Sequence, residues 1–524
     1  MNAPVCMALA ASLTLATARA AEVSLEAFEF PVDGRLLGAT LHDQNGDGRL
    51  DLTLPLPDPS TRRRTVLVHH ATADGRVSAS PNHELRILED VVAWGWADVR
   101  DDPGDELLLL TRSGAFALSP AKPGLRGNIE RLVEAPLIYD VPDPGSLPRW
   151  RYVLPHPDGD RLLLPERGGY RLWGPPRSNA ESPADGAPRY VEHVDFGVRT
   201  VAGTVTAAAH DESRDDALVD AALDLARNAF GQAPDGGVRR YLQDAVEIRA
   251  PALVDVNGDG QTDLLHRENG LRIHLATDAG LPATPTRVER LPEALGVADG
   301  QRRSLLLEDV DGDGDADLIV HIRNDSDDVL GLRDHDIFVL RNVDDRLVPE
   351  TLDDLRRLEA AWSRPGVADV NGDQRPDLIL EKARGPSELE LASGGTPLLE
   401  YELLVFFGDT RGRFSRKPSL TEQLRFPFDQ LAEAVGSTDL SLDFDGDGYA
   451  DKVDLDLTGT LSIRRVVKES SFFGGDSWSL EANPWRQFEN AGRMGNLQVA
   501  DVNGDGFGDA LGWQDDRAVL VLSR

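Results

Sequence analysis

Residues 253–266 read Leu253-Val254-Asp255-Val256-Asn257-Gly258-Asp259-Gly260-Gln261-Thr262-Asp263-Leu264-Leu265-His266. An apolar run leads into D-x-[DN]-G-D-G-x-x-D, and a second apolar run follows. Five further copies share this frame: LHDQNGDGRLDLTL from Leu41, LEDVDGDGDADLIV from Leu307, VADVNGDQRPDLIL from Val367, SLDFDGDGYADKVD from Ser441 and VADVNGDGFGDALG from Val499. A seventh, ADVRDDPGDELLLL from Ala97, keeps the frame but carries Arg100 at position 3. An eighth, LPHPDGDRLLLP from Leu154, is a remnant. These last two are expected to fold like the others and to bind metal poorly or not at all.

The segments start at Asp43, Asp98, about His156, Asp255, Asp309, Asp369, Asp443 and Asp501. Most spacings are 54 to 60 residues, with one of 74 and one of 99. A period this long means one supersecondary unit per repeat. The flanks are short and rich in Val, Leu and Ile, and further strand candidates follow, such as Leu271 to Leu275 and Asp336 to Leu340. Several strands per unit, repeated about eight times, predict an all-β chain folded as a single β-propeller. Propeller repeats run about 40 to 50 residues, so eight blades fit the length better than seven, which stays open. Few residues follow Asp501, while Glu22 to Phe30 offers a strand before the first repeat. The N-terminal strand is therefore expected to complete the last blade. Residues 174–250 are read as an insertion, with a Pro-rich stretch and a helix carrying Leu218, Ala222, Leu225 and Ala229 on one face. A second helix is expected near Leu420 to Val435.

The spacing of oxygen-bearing side chains spells calcium. The ion takes about six to eight oxygen ligands, and side chains at positions 1, 3 and 5 with a backbone carbonyl at position 7 can curl around it. Glycines at positions 4 and 6 permit the turn. An EF-hand would need Glu at position 12 and flanking helices, and the copies have neither. Hairpin turns alone leave the Asp at position 9 of all six copies unexplained.

These loops between strands resemble the FG-GAP or VCBS repeat family, the integrin-type calcium-binding propeller, over nearly all of the chain after residue 20. The resemblance implies about six Ca2+ sites. Their ligands would be Asp43, Asn45, Asp47 and Asp51; Asp255, Asn257, Asp259 and Asp263; Asp309, Asp311, Asp313 and Asp317; Asp369, Asn371, Asp373 and Asp377; Asp443, Asp445, Asp447 and Asp451; and Asp501, Asn503, Asp505 and Asp509. Gln374 stands where the other copies have Gly at position 6, which predicts strain there.

Ninety acidic against 55 basic residues give a net charge of -35. That charge repels nucleic acid and anionic membranes. Residues 1–20 read as a signal peptide: an apolar stretch from Val5 to Ala16 and then Ala18-Arg19-Ala20. Export to the periplasm or beyond is the expectation. Cys6, the only cysteine, falls inside that segment, which leaves the exported chain without disulfides. No other stretch reaches the roughly 20 apolar residues of a membrane span.

No HExxH, GxSxG, Walker or dinucleotide motif is present. His69 and His70 follow an alternating segment, so they should point to opposite faces. Trp94, Trp96 and Trp513 are read mainly as core residues. The leading expectation is therefore a binding, adhesion or scaffolding module for a protein or glycan, without a catalytic site. The alternative is a polysaccharide-active enzyme, a lyase or hydrolase, on a calcium-bearing propeller.

Overall fold

The computed structural model describes residues 23–196 and 251–524, apart from short stretches between strands. Eight four-stranded antiparallel sheets follow one another along the chain as the blades of a β-propeller. Blade 1 spans residues 40–87, blade 2 91–134, blade 3 153–195, blade 4 252–289, blade 5 301–360, blade 6 362–427 and blade 7 437–488. Blade 8 takes three strands from residues 497–523 and its fourth from Leu25–Pro31, which pairs with Arg517–Ser523 from Leu25↔Ser523 to Pro31↔Arg517. The expected closure by the N-terminal strand is thus the closure observed.

Each Asp-rich segment joins the first strand of its blade to the second, which places all of them on one face of the ring. Both faces of a blade are covered by neighbours, so the strands read as continuous apolar runs with an internal alternation. Glu106–Thr111 of blade 2 is buried throughout. Leu107 and Leu109 face blade 1, while Leu108 and Leu110 face blade 3. The core is accordingly a circuit of layers between blades, with no single centre. Burying one such leucine contributes about 2 kcal/mol. Trp94 and Trp96 are buried in this core, and Trp513 packs on the layer between blades 8 and 1.

At the junction of blades 6 and 7 an ionic cluster adjoins the apolar layer of Val370, Leu403, Val405, Leu420, Leu440 and Val466. Lys452, 2% exposed, sits 3.1 Å from Glu422 and 2.8 Å from Asp454, and Arg464 pairs with both acids. Arg364 reaches Glu381 at 2.8 Å, and Tyr401 donates its hydroxyl to the same carboxylate. Three cations meet three carboxylates, so the buried charge is balanced.

The helix expected near Leu420 to Val435 is not formed over its first half. Leu420–Pro427 is the outer strand of blade 6, paired along its whole length with the strand Leu398–Phe406, from Leu398↔Pro427 to Val405↔Leu420. Alternation of Leu420, Glu422 and Leu424 against the blade outweighs the helical spacing, because sheet pairing satisfies the backbone and buries every second side chain. Among the described residues there is no α-helix. Within 174–250, Val191–Asp195 is the fourth strand of blade 3. The proposed helix around Leu218 to Ala229, like the first twenty residues, lies outside the described residues.

Candidate metal centres

The loops hold themselves together with their own acids. At position 1, Asp43 accepts the backbone N–H groups of Gly46 at 2.8 Å and Gly48 at 2.7 Å, Asp309, Asp443 and Asp501 do the same in their copies, and Asp255 and Asp369 accept those of positions 5 and 6. At position 5, Asp47, Asp259, Asp313, Asp373, Asp447 and Asp505 each accept the N–H two residues on. These are Asx turns, in which the loop's own side chains curl the backbone. The turn needs a left-handed residue at position 6, where Gly48 has φ of 84° and Gln374 is forced to 63°. The strain expected at Gln374 is therefore in its backbone.

Position 9 has a role the sequence did not disclose. Asp51, Asp263, Asp317, Asp377, Asp451 and Asp509 are fully buried. One carboxylate oxygen of each accepts the N–H of position 2 in its own loop, as Asp263 does from Val256 at 2.9 Å. In five copies the other oxygen accepts an N–H at or just beyond the end of the third strand: Ala71, Ala276, Asn342, Gly408 or Ser523, at 2.6 to 2.8 Å. The residue staples the loop to the blade and would be needed with or without metal. Such a pattern was invisible in sequence because its partners lie up to 31 residues away and, apart from the Ser523 hydroxyl, donate backbone N–H groups.

Blade 7 breaks the pattern. Its third strand runs on toward an inserted hairpin, and Asp451 Oδ1 has no hydrogen-bond partner while its side chain is wholly buried. Carboxylate oxygens of Asp443, Asp445 and Asp447 lie within 4.8 Å of one another beside it. Burial first, then the charges of Asp445, Asp443 and Asp447, push the Asp451 carboxyl up to about 8. Blade 5 is similar: Asp309, Asp311 and Asp317 converge within 4.8 Å, Asp311 Oδ1 lacks a partner, and burial, then the charges of Asp311 and Asp313, push the Asp317 carboxyl up to about 7 against the opposing backbone N–H bonds from Asn342 and Val310. Buried acids with free oxygens and mutual repulsion fit a hard divalent cation. Position 3 accepts the N–H of position 5 in blades 1, 6, 7 and 8 alike, but Asn45, Asn371 and Asn503 spend their one oxygen there, whereas Asp445 keeps a second, which meets Arg465 at 3.3 Å. Blade 4 is intermediate, with Asn257 Oδ1 unpartnered.

The two degenerate copies differ in kind. In blade 2 Arg100 turns its guanidinium onto the carbonyls of Ala117 and Asn128 and onto Glu130 at 3.1 Å. Glu106 nevertheless keeps the staple, accepting the Val99 N–H at 3.2 Å. In blade 3 the shortened loop is held by Asp160, whose side chain accepts the Asp98 N–H at 2.9 Å.

Neighbouring loops are joined in a relay. The position 8 N–H donates to a carbonyl at position 1 or 2 of the preceding loop: Leu50 to Val502, Asp105 to Gln44, Ala316 to Asp255, Ala450 to Val370 and Gly508 to Asp443. Pro376 occupies position 8 in blade 6 and has no N–H to offer blade 5.

His69 turns inward to the Ser78 carbonyl and His70 outward to Gln44, as strand geometry requires. Two histidine pairs are buried deeper. His266 Nε2 lies 3.1 Å from His274 Nε2, and His321 Nε2 lies 2.9 Å from His335 Nδ1. The outer nitrogens of His274 and His335 face the carbonyls of Pro282 and Ala360 and so carry protons. Each pair is consequently neutral, with one imidazole donating to the other.

No protein-family model matches the chain, and no curated protein matches it either. The class that fold and loops define is an eight-bladed β-propeller with acid-lined turns on one face. No helix of the described residues is long and apolar enough to cross a membrane.

Proposed function

We propose that this chain is an exported calcium-binding propeller of the FG-GAP or VCBS kind, serving as a binding or scaffolding module for a protein or glycan partner. The observation that carries the calcium reading is Asp451: a buried carboxylate with a free oxygen, set beside Asp443, Asp445 and Asp447. Leaving such a charge unpaired costs several kcal/mol, and a cation with oxygen affinity removes that cost. The blade 7 and blade 5 loops are the strongest sites, and the four sets in blades 1, 4, 6 and 8 the weaker ones. Export is supported by the signal-like residues 1–20, and a binding role by a rigid ring that presents its loops on one face.

Calcium titration by calorimetry on the chain from Ala21 tests the proposal. Wild type is expected to take up at least two ions tightly, with Asp451→Asn and Asp311→Asn each losing one. Absence of binding heat at millimolar calcium would reduce the loops to self-supporting turns.

A further inference from the structure

One element stands outside the four-stranded blades among the described residues. Val466–Ser471 and Gly475–Leu480 pair as a two-stranded hairpin between the third and fourth strands of blade 7. Its second strand lies against the outer strand of blade 6.

Two side-chain links tie this hairpin to the blade 7 loop. At its base, Arg465 grips Glu481 with Nε at 3.1 Å and Nη2 at 2.8 Å, and extends Nη1 to Asp445 Oδ2 at 3.3 Å. Higher up, Trp478 is wedged edge-on between Tyr449, at 4.9 Å between centroids, and Phe407 of blade 6, at 5.1 Å. Lys468 lies over the same indole at 5.3 Å. Asp445 is position 3 of the loop, and Tyr449 is position 7, whose carbonyl faces a cation in such a turn. The two residues that reach the hairpin are thus the two that cation binding would reposition.

We propose that a cation held in the blade 7 loop fixes the packing of the Val466–Leu480 hairpin, which makes the hairpin a calcium-responsive arm of the ring. The inference rests on the calcium reading above and adds a consequence to it. With Asp445 turned to the cation, Arg465 is repelled by the new charge and closes fully on Glu481, which straddles the hairpin base. With the Tyr449 backbone held at the cation, the seat of Trp478 is locked.

Hydrogen exchange of the full chain, with calcium and with chelator, is the test, and calorimetric stoichiometry runs beside it. Exchange over 466–480 should slow roughly tenfold with calcium, since ordering raises the local opening free energy. Asp451→Asn should lose one ion and the slowing together. Tyr449→Ala combined with Arg465→Gln should keep the ion and lose the slowing. Full stoichiometry with unchanged hairpin exchange in wild type would overturn the coupling. Undiminished stoichiometry in Asp451→Asn would instead overturn the blade 7 site itself, and the two failures are read on different instruments.

Discussion

Blades 2 and 7 begin from the same nine-residue frame. In blade 7 the frame carries Asp443, Asp445, Asp447 and Asp451, and one buried oxygen is left over; in blade 2 it carries Asp98, Arg100 and Glu106, and none of them converges on a free oxygen. Arg100 supplies a fixed positive charge and spends it on neighbouring carbonyls and Glu130. What survives in both blades is the acid at position 9 bonded to the N–H of position 2. The comparison separates two roles that the motif superimposes. Position 9 bonds the turn through the N–H of position 2 in both blades, while the acids at positions 1, 3 and 5, together with any oxygen left over at position 9, decide whether a cation is wanted.

The largest expected effect breaks the lock. Asp509→Ala leaves the buried N–H groups of Val502 and Ser523 without acceptors, and should cost about 4 kcal/mol in denaturant unfolding. The loss should be nearly the same in calcium and in chelator. A loss seen only in calcium would make position 9 a ligand and nothing more.

Chelation comes next. Sites with dissociation constants near 0.1 mM contribute about 1.4 kcal/mol each at 1 mM calcium, so two filled loops give about 3 kcal/mol and six about 8. The measured difference therefore counts the occupied loops. Its pH dependence has a definite sign. Asp451 is raised to about 8 from an ordinary 3.8, so the chelated folded chain holds protons that the unfolded chain has released. Its stability should fall as pH rises from about 4 to 8, and calcium should flatten that slope.

A smaller effect of opposite sign belongs to the histidine pairs, which lie outside the loops. Burial and then the partner imidazole and a nearby arginine hold His266 at about 4 and His321 at about 3. Folded values below the ordinary 6.5 mean that stability is complete above that pH and is lost as pH drops below it. Melting temperature followed in calcium from pH 7 to 5 should decline, and replacing His266 and His321 with Phe should reduce the decline.

The smallest effect sharpens the loop of blade 6. Gln374→Gly relieves a left-handed residue at some cost in unfolded-chain entropy, and a net gain of about 0.5 kcal/mol is expected by thermal unfolding. A loss would mean that the Gln374 side chain makes a contact worth more than the strain.

Much of this architecture could be read from the chain. Asp-rich turns at a steady period, with apolar strands on either side, led to eight blades and to closure by the strand before Asp43. Leu420 to Pro427 was misread because Leu420, Leu424 and Phe426 fit helical and strand spacing about equally, and only the edge of Leu398–Phe406 decides between them. Trp478 and Arg465 carried no signal as partners of the blade 7 loop, since their contacts depend on an inserted hairpin folding back.

By itself the sequence determined which residues could turn and which oxygens could gather, because Asx turns and left-handed glycines act within a few residues. Only the tertiary structure decided which carboxylates are left wanting. Whether Asp451 has a second donor depends on where the third strand of its blade ends, and that is settled by a backbone N–H brought in, or not brought in, from far along the chain.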